Sequence, residues 1–350
     1  MNRIGTKSFV EQIIPKKPIS VEHNWQKELA GSFTDPAKLL QHLGLDEEKY
    51  AQHIKARRLF PMRVPRHFAD LMEKGNPNDP LFLQVMPLSD EFLTSPGYSE
   101  DPLEEHDTAG KGILHKYDSR VLLMVRTGCA VNCRYCFRRH FPYADNAVSK
   151  HQWEEVLQYI QAHDNINEVI FSGGDPLMAK DDHLAWLANE IASINHVKRL
   201  RIHTRLPVVL PERINNAFVN WFTALPIQKV LVLHANHANE MSEALKSRLI
   251  TLREKGVTLL NQSVLLKGVN DSGEAISDLS EALFEASVLP YYLHVLDKVQ
   301  GASHFYVSDD EGRHIMEEAI KRLPGFLVPK LVREIGGQPG KTPIDLHLHP

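Results

Sequence analysis

Cysteine is nearly absent from this chain. Only three of its 350 residues are cysteine, Cys129, Cys133 and Cys136, and all three fall in one short window. An odd, clustered set cannot form a disulfide framework and points to a reducing, cytoplasmic setting. Long apolar runs are missing too. No stretch approaches the roughly 20 residues that cross a bilayer. Met1 to Pro15 carries Arg3, Lys7 and Glu11 where a signal peptide has a continuous apolar core. A membrane partner is therefore not expected. Charge of one sign is lacking: 40 Lys+Arg against 44 Asp+Glu leave a formal charge of −4. That removes the electrostatic case for nucleic acid, and the patch Lys55-Ala56-Arg57-Arg58 reads as a solvated helix face. Neither G-x-G-x-x-G nor a Walker loop occurs, so neither glycine-rich phosphate cradle is expected.

What remains is an ordinary globular composition, long enough to bury a large core. Residues 1–110 read as a helical N-terminal region ending in a loop. Asp35 before Pro36 is a cap and first-turn pair. A second helix is expected over 63–73, broken by the Gly/Asn/Pro run 74–80, and 95–113 reads as loop. From about residue 115 apolar, β-branched runs alternate with amphipathic helices. The strand candidates are Val121–Arg126, Val169–Phe171, Leu200–Thr204, Val230–His234, Thr258–Val264 and Tyr291–Val295. Most start about 30 residues apart, the length of a strand plus its crossover helix. Helical spacing joins Trp153, Val156, Leu157 and Ile160; Leu184, Leu187 and Ile191; and Leu245, Leu249 and Leu252. The pattern predicts an α/β fold, a partial (β/α)6 barrel over 111–350, with its chemistry at the C-terminal ends of the strands.

The cysteines stand as C-x3-C-x2-C directly after the first of those strands. Thiolates suit zinc or iron–sulfur clusters. A structural zinc site needs a fourth ligand, which only His140 offers nearby, and the cysteines could instead be buried structural thiols. Three thiolates on a four-iron cluster leave one iron open to a substrate atom. Followed by Phe137, the motif resembles the signature of the radical S-adenosylmethionine (SAM) enzymes, whose open iron binds SAM. Ser172-Gly173-Gly174-Asp175-Pro176, after the second strand, resembles that family's glycine-rich SAM segment. His234 ends the fourth strand, and Gln262 lies on the fifth between Asn261 and Ser263; both are candidate SAM contacts.

Lys341 sits in the turn Gly336-Gly337-Gln338-Pro339-Gly340. That turn reads as an ordinary solvated one, but a lysine beside glycine can also form a Schiff base with pyridoxal phosphate (PLP), because glycine lets the backbone come close. Five ordered segments then carry a specific resemblance: 115–121, 129–139, 172–177, 261–271 and 290–297, completed by the Gly336–Lys341 turn. Over roughly 60–348 the chain resembles the lysine 2,3-aminomutase family, radical SAM enzymes that also carry PLP. It is most similar to the bacterial branch that makes (R)-β-lysine for modification of translation elongation factor P.

The resemblance implies three cofactors: a 4Fe–4S cluster on Cys129, Cys133 and Cys136, SAM, and PLP on the catalytic Lys341. Lys116, Tyr117 and Arg120 match residues around PLP, with Lys116 where some relatives have Arg. Gly173, Gly174, Asp175, His234 and Gln262 match the SAM side. Arg138 matches the clamp on the substrate carboxylate. Asp297 and Glu334 match two acids that receive the ε-ammonium of L-lysine, Glu334 being one methylene longer than the Asp of free-lysine enzymes. An electron donor such as flavodoxin or ferredoxin and a functional link to an elongation factor P lysine ligase are implied partners. Other readings stay open at this point: an aminomutase of free β-lysine metabolism or of another amino acid, and a non-enzymatic iron–sulfur redox sensor.

Overall fold

A computed structural model describes residues 24–105, 112–142, 148 and 150–348. Four short helices lead in: α1 (Trp25–Ala30), α2 (Pro36–Leu43), α3 (Arg66–Asp70) and α4 (Pro80–Leu83). The expected cap is present. The Asp35 carboxylate accepts from the Ala37 N–H at 3.3 Å, meeting one of the donors a helix start leaves unpaired. The second expected helix is shorter than its sequence span. Val64 instead pairs with Phe33 in an isolated bridge, and the Glu73 N–H turns away to Asp79 at 3.0 Å.

One nine-stranded sheet follows, its strands hydrogen-bonded in chain order: β1 (Ile113–Tyr117), β2 (Arg120–Arg126), β3 (Glu168–Gly173), β4 (Arg199–Thr204), β5 (Gln228–Leu233), β6 (Thr258–Val264), β7 (Leu289–His294), β8 (Lys330–Arg333) and β9 (Thr342–Pro343). The pairs from β2 to β8 are all parallel. The outer strands β1 and β9 are antiparallel to their neighbours. The sheet stays open between them. All six expected strands are present within two residues at each end. Three more were not foreseen. The region read as loop over 95–113 gives way to β1 at Ile113, and β8 and β9 flank the Gly336–Lys341 turn.

Crossover helices α5 (Lys150–Ala162), α6 (Asp181–Ala192), α7 (Leu206–Val209), α8 (Asn216–Ala224), α9 (Glu243–Glu254), α10 (Gly273–Glu285) and α11 (Asp309–Arg322) cover the outer face. On α11, Ser308 and Glu311 form a reciprocal capping box, with Asp309 and Asp310 in the first turn and Lys321 and Arg322 in the last. Those charges oppose the helix dipole at both ends. Trp25, Leu39, Phe68 and Phe82 of the lead-in share one continuous buried cluster with Phe171, Ile202 and Leu231 of the sheet. The lead-in is thereby packed against the sheet.

Candidate active site

The cysteine loop begins where β2 ends. Its backbone is held from several sides. Arg63 donates to the Cys129 carbonyl at 3.0 Å, and the Arg134 N–H donates to the Gln84 carbonyl at 2.9 Å. The next strand closes over it. The Gly174 N–H donates to the Arg126 carbonyl at 2.7 Å and the Asp175 N–H to the Gly128 carbonyl at 3.0 Å. Gly173 has φ +116°, and a Cβ there would meet the Arg126 carbonyl oxygen at 2.4 Å; a Cβ on Gly174 would meet three backbone atoms of Gly128 at 2.6–2.9 Å. The glycine pair lets two backbones touch. A Gly174→Ala variant is expected to push the loop off its seat. Overpacking costs about 1–3 kcal/mol, and less iron should be retained after anaerobic reconstitution, read by iron assay and thermal melting.

All three cysteines are free thiols. Burial, with the neighbouring thiols, pushes Cys129 well above its ordinary range and Cys136 up to about 11. Deprotonated thiolates here need a bound cation. Zinc completed by His140 is disfavoured, because His140 Nε2 lies 3.2 Å from the Gln300 carbonyl. Three soft donors with no fourth cysteine fit a cluster with one open iron.

The side chain of Asp175 has a structural task. It is buried, and its carboxylate accepts from the Leu177 N–H at 3.0 Å, the Thr204 hydroxyl at 2.8 Å and the N–H groups of Arg205 and Leu206 at 2.9 Å each. It ties the end of β3 to the end of β4 and caps the turn that follows. Asn261 and Ser263 likewise bond to Ala235 and to each other. Gln262 alternates to the other face of β6, where its amide nitrogen lies 3.0 Å from His234 Nε2. Burial, with the charges of Arg205, Arg138 and Lys341, pushes His234 down to about 3, so it is a neutral ring. His203 and His294 are also held well below the ordinary histidine range, burial being the main cause. Their buried Nε2 atoms have no partner among the described residues. Orphaned polar atoms inside a barrel are what a bound polar molecule would satisfy.

A second group of charges meets further along the interior. Arg138 forks onto Glu105, Nε to Oε2 at 2.6 Å and Nη2 to Oε1 at 3.1 Å, with Nη1 on the Ser172 hydroxyl at 3.2 Å. Lys116 joins the same carboxylate at 3.0 Å. Burial alone would raise Glu105, but these two cations outweigh it and hold its carboxyl below the usual range. Among the described residues, Arg138 and Lys116 share this one carboxylate. Nearby, the Tyr117 hydroxyl donates to Glu334 Oε1 at 3.0 Å, and Lys341 Nζ donates to Glu334 Oε2. The Arg120 guanidinium lies 3.9 Å above the Tyr117 ring. Burial opposes ionisation of Glu334, yet Lys341 overrides it and holds the carboxyl low. Asp297 goes the other way. Burial and then the Glu334 charge push it up to about 7, against the pull of Lys341. Lys116, Tyr117 and Arg120 sit at the β1–β2 turn rather than at a parallel strand's C-terminal end, an exception to the barrel rule.

Sequence reasoning missed Glu105, Arg205, Gln84 and Glu240. Arg205 could have been found, because it directly follows a predicted strand end. Nothing local distinguishes the others.

A profile of the Radical SAM superfamily matches residues 124–279. Its three thiols, glycine cradle and open parallel barrel make this a radical SAM enzyme. The L-lysine 2,3-aminomutase of Escherichia coli is 57% identical over 326 residues, covering 93% of this chain and 95% of that protein. That of Haemophilus influenzae is 54% identical, covering 95% and 98%, and that of Clostridium subterminale 33%, covering 92% and 78%. The chain belongs to the lysine 2,3-aminomutase family. Membership brings a 4Fe–4S cluster, SAM and PLP as cofactors. Among the described residues no helix is long and apolar enough to cross a membrane.

Proposed function

We propose that the protein converts L-lysine to β-lysine by moving its 2-amino group to C3, with PLP held on Lys341. The carrying observation is that a lysine ammonium already rests on Glu334, beside Asp297: the protein's own Lys341. That contact supports the reading, because a buried lysine ε-ammonium requires such counter-charges. At the other end, the planar guanidinium of Arg138, oriented by Glu105, suits a bidentate hold on the substrate carboxylate. When bound, the reduced cluster and SAM supply hydrogen abstraction, and PLP supplies the carbonyl that carries the migrating nitrogen. The chain's own residues orient and shield. Glu105 holds the Arg138 fork in one plane, the acid pair fixes the far end of the substrate, and together they set which carbon faces SAM. Tyr117 and Arg120 would hold PLP, Lys116 would offer charge to its phosphate, and neutral His234 and Gln262 would hold SAM.

The product is read as (R)-β-lysine, made in the cytoplasm and attached to elongation factor P by a separate ligase, with flavodoxin or ferredoxin as electron donor. That use rests on the five ordered segments shared with the elongation-factor branch. The test is anaerobic reconstitution with iron, sulfide, SAM, PLP and reductant, followed by chiral chromatography of the products from lysine. An intact cluster and bound PLP with no isomerisation would remove the proposal.

A pH dependence follows from Asp297. With no substrate ammonium present it keeps its proton up to about pH 7. Binding an ammonium below that pH must expel the proton, so lysine affinity rises with pH by up to about tenfold per unit and levels off above about 7. The KM for lysine should fall accordingly, and Asp297→Asn should flatten that profile.

A further inference from the structure

We infer that Arg205 is a positioning residue for the cluster: it holds Cys133 through its guanidinium and, with Glu240, sets the cluster's reduction potential. The inference rests on the three-cysteine cluster and is independent of the substrate. Arg205 follows the last residue of β4 and is 6% exposed. Its Nη1 donates to Cys133 Sγ at 3.1 Å. Its Nη2 donates to Gln84 Oε1 at 2.8 Å and to Glu240 Oε2 at 3.0 Å. The Tyr135 hydroxyl, inside the cysteine loop, meets the same guanidinium and takes the Asn236 amide at 2.7 Å.

The partners are locked in turn. Glu240 Oε1 accepts from Gln84 Nε2 at 3.0 Å and from the Asn236 N–H at 2.9 Å. The Asn236 amide also reaches Gln84 Oε1 at 2.9 Å. The Arg205 backbone N–H is fixed on Asp175. Phe68 and Tyr135 flank the guanidinium, with ring centroids 5.5 and 5.6 Å away. One cation is therefore held rigidly from the lead-in, from the loop after β5 and from the cysteine loop itself. Such a network is far more than a solvated arginine needs. The nitrogen that meets Tyr135 also reaches one sulfur, that of Cys133.

Hydrogen bonds to cluster sulfurs and local net charge are the protein's means of tuning an iron–sulfur potential. When one electron enters the cluster, no bond breaks and negative charge grows on the thiolates. The Arg205 donor stabilises that added charge, and the Glu240 carboxylate, 3.0 Å from the guanidinium, partly offsets it. The two residues therefore act in opposite senses.

The experiment reconstitutes wild type, Arg205→Gln, Arg205→Lys and Glu240→Gln anaerobically, assays iron, and titrates the cluster with dithionite under electron paramagnetic resonance. Arg205→Gln should shift the midpoint potential to more negative values, Glu240→Gln to less negative values, and Arg205→Lys should fall between Arg205→Gln and wild type. A packing role alone does not produce shifts of opposite sign. Full iron in Arg205→Gln with an unchanged potential overturns the inference. Should Arg205→Gln fail to fold, Glu240→Gln decides alone: an unchanged or more negative potential overturns it.

Discussion

Lys341→Ala protein, incubated with PLP and desalted, should show none of the visible absorbance of bound PLP and no detectable turnover, while keeping wild-type iron. The split between the two cofactors follows from the structure. Lys341 lies just before β9, its Nζ on Glu334, whereas the cysteine loop is braced by Arg63, Gln84 and the Gly173-Gly174 cradle. A covalent anchor to a carbonyl cofactor needs a primary amine at that point, and alanine supplies none. Within the acid pair, losing the Lys341 charge leaves Glu334 and Asp297 facing each other without a cation, and both should hold protons more tightly. Full turnover by this variant would sink the PLP assignment and leave a radical SAM enzyme of another kind.

Glu334→Gln and Asp297→Asn, each alone, should lower kcat/KM for lysine by about two to four orders of magnitude. The argument is one of counter-charge. Removing one partner of a buried ion pair costs about 3–5 kcal/mol, and each 1.36 kcal/mol is about tenfold in rate. Glu334 has a second duty, accepting from Tyr117, so its variant should also weaken PLP retention; Asp297→Asn should not. Steady-state kinetics with lysine, alongside PLP occupancy, separates the two. A change of less than about threefold in both variants would mean that these acids do not receive the substrate ammonium.

The barrel was legible because its strands are β-branched runs at crossover spacing, such as Val169–Phe171, and because a buried parallel strand has little else to be. β8 and β9 escaped notice because they span only four and two residues. The cysteine motif carries its chemistry in its own residue types and spacing, whereas Lys341 stands out only through the resemblance, its turn reading locally as an ordinary solvated one. Asp175 shows the limit of that kind of reading. Gly173-Gly174-Asp175 looks like one functional unit, yet an aspartate before a proline is also a cap, and the carboxylate is fully engaged by Leu177, Thr204, Arg205 and Leu206. Glu105 and Glu240 were invisible for a different reason. Each acquires meaning only from partners 33 and 35 residues away, Arg138 and Arg205, and no local pattern reports such a meeting.

The sheet that carries this chemistry never closes on itself. β1 lies at one edge, and Glu334 follows the strand beside the other; among the described residues no ladder of backbone bonds joins the two edges, and the Tyr117 hydroxyl reaches across to the Glu334 carboxylate. The seam of the barrel is therefore fastened by its own reactive side chains. Glu334 accepts from Tyr117 on one side and from Lys341 on the other, so this one carboxylate joins residues from both ends of the strand order.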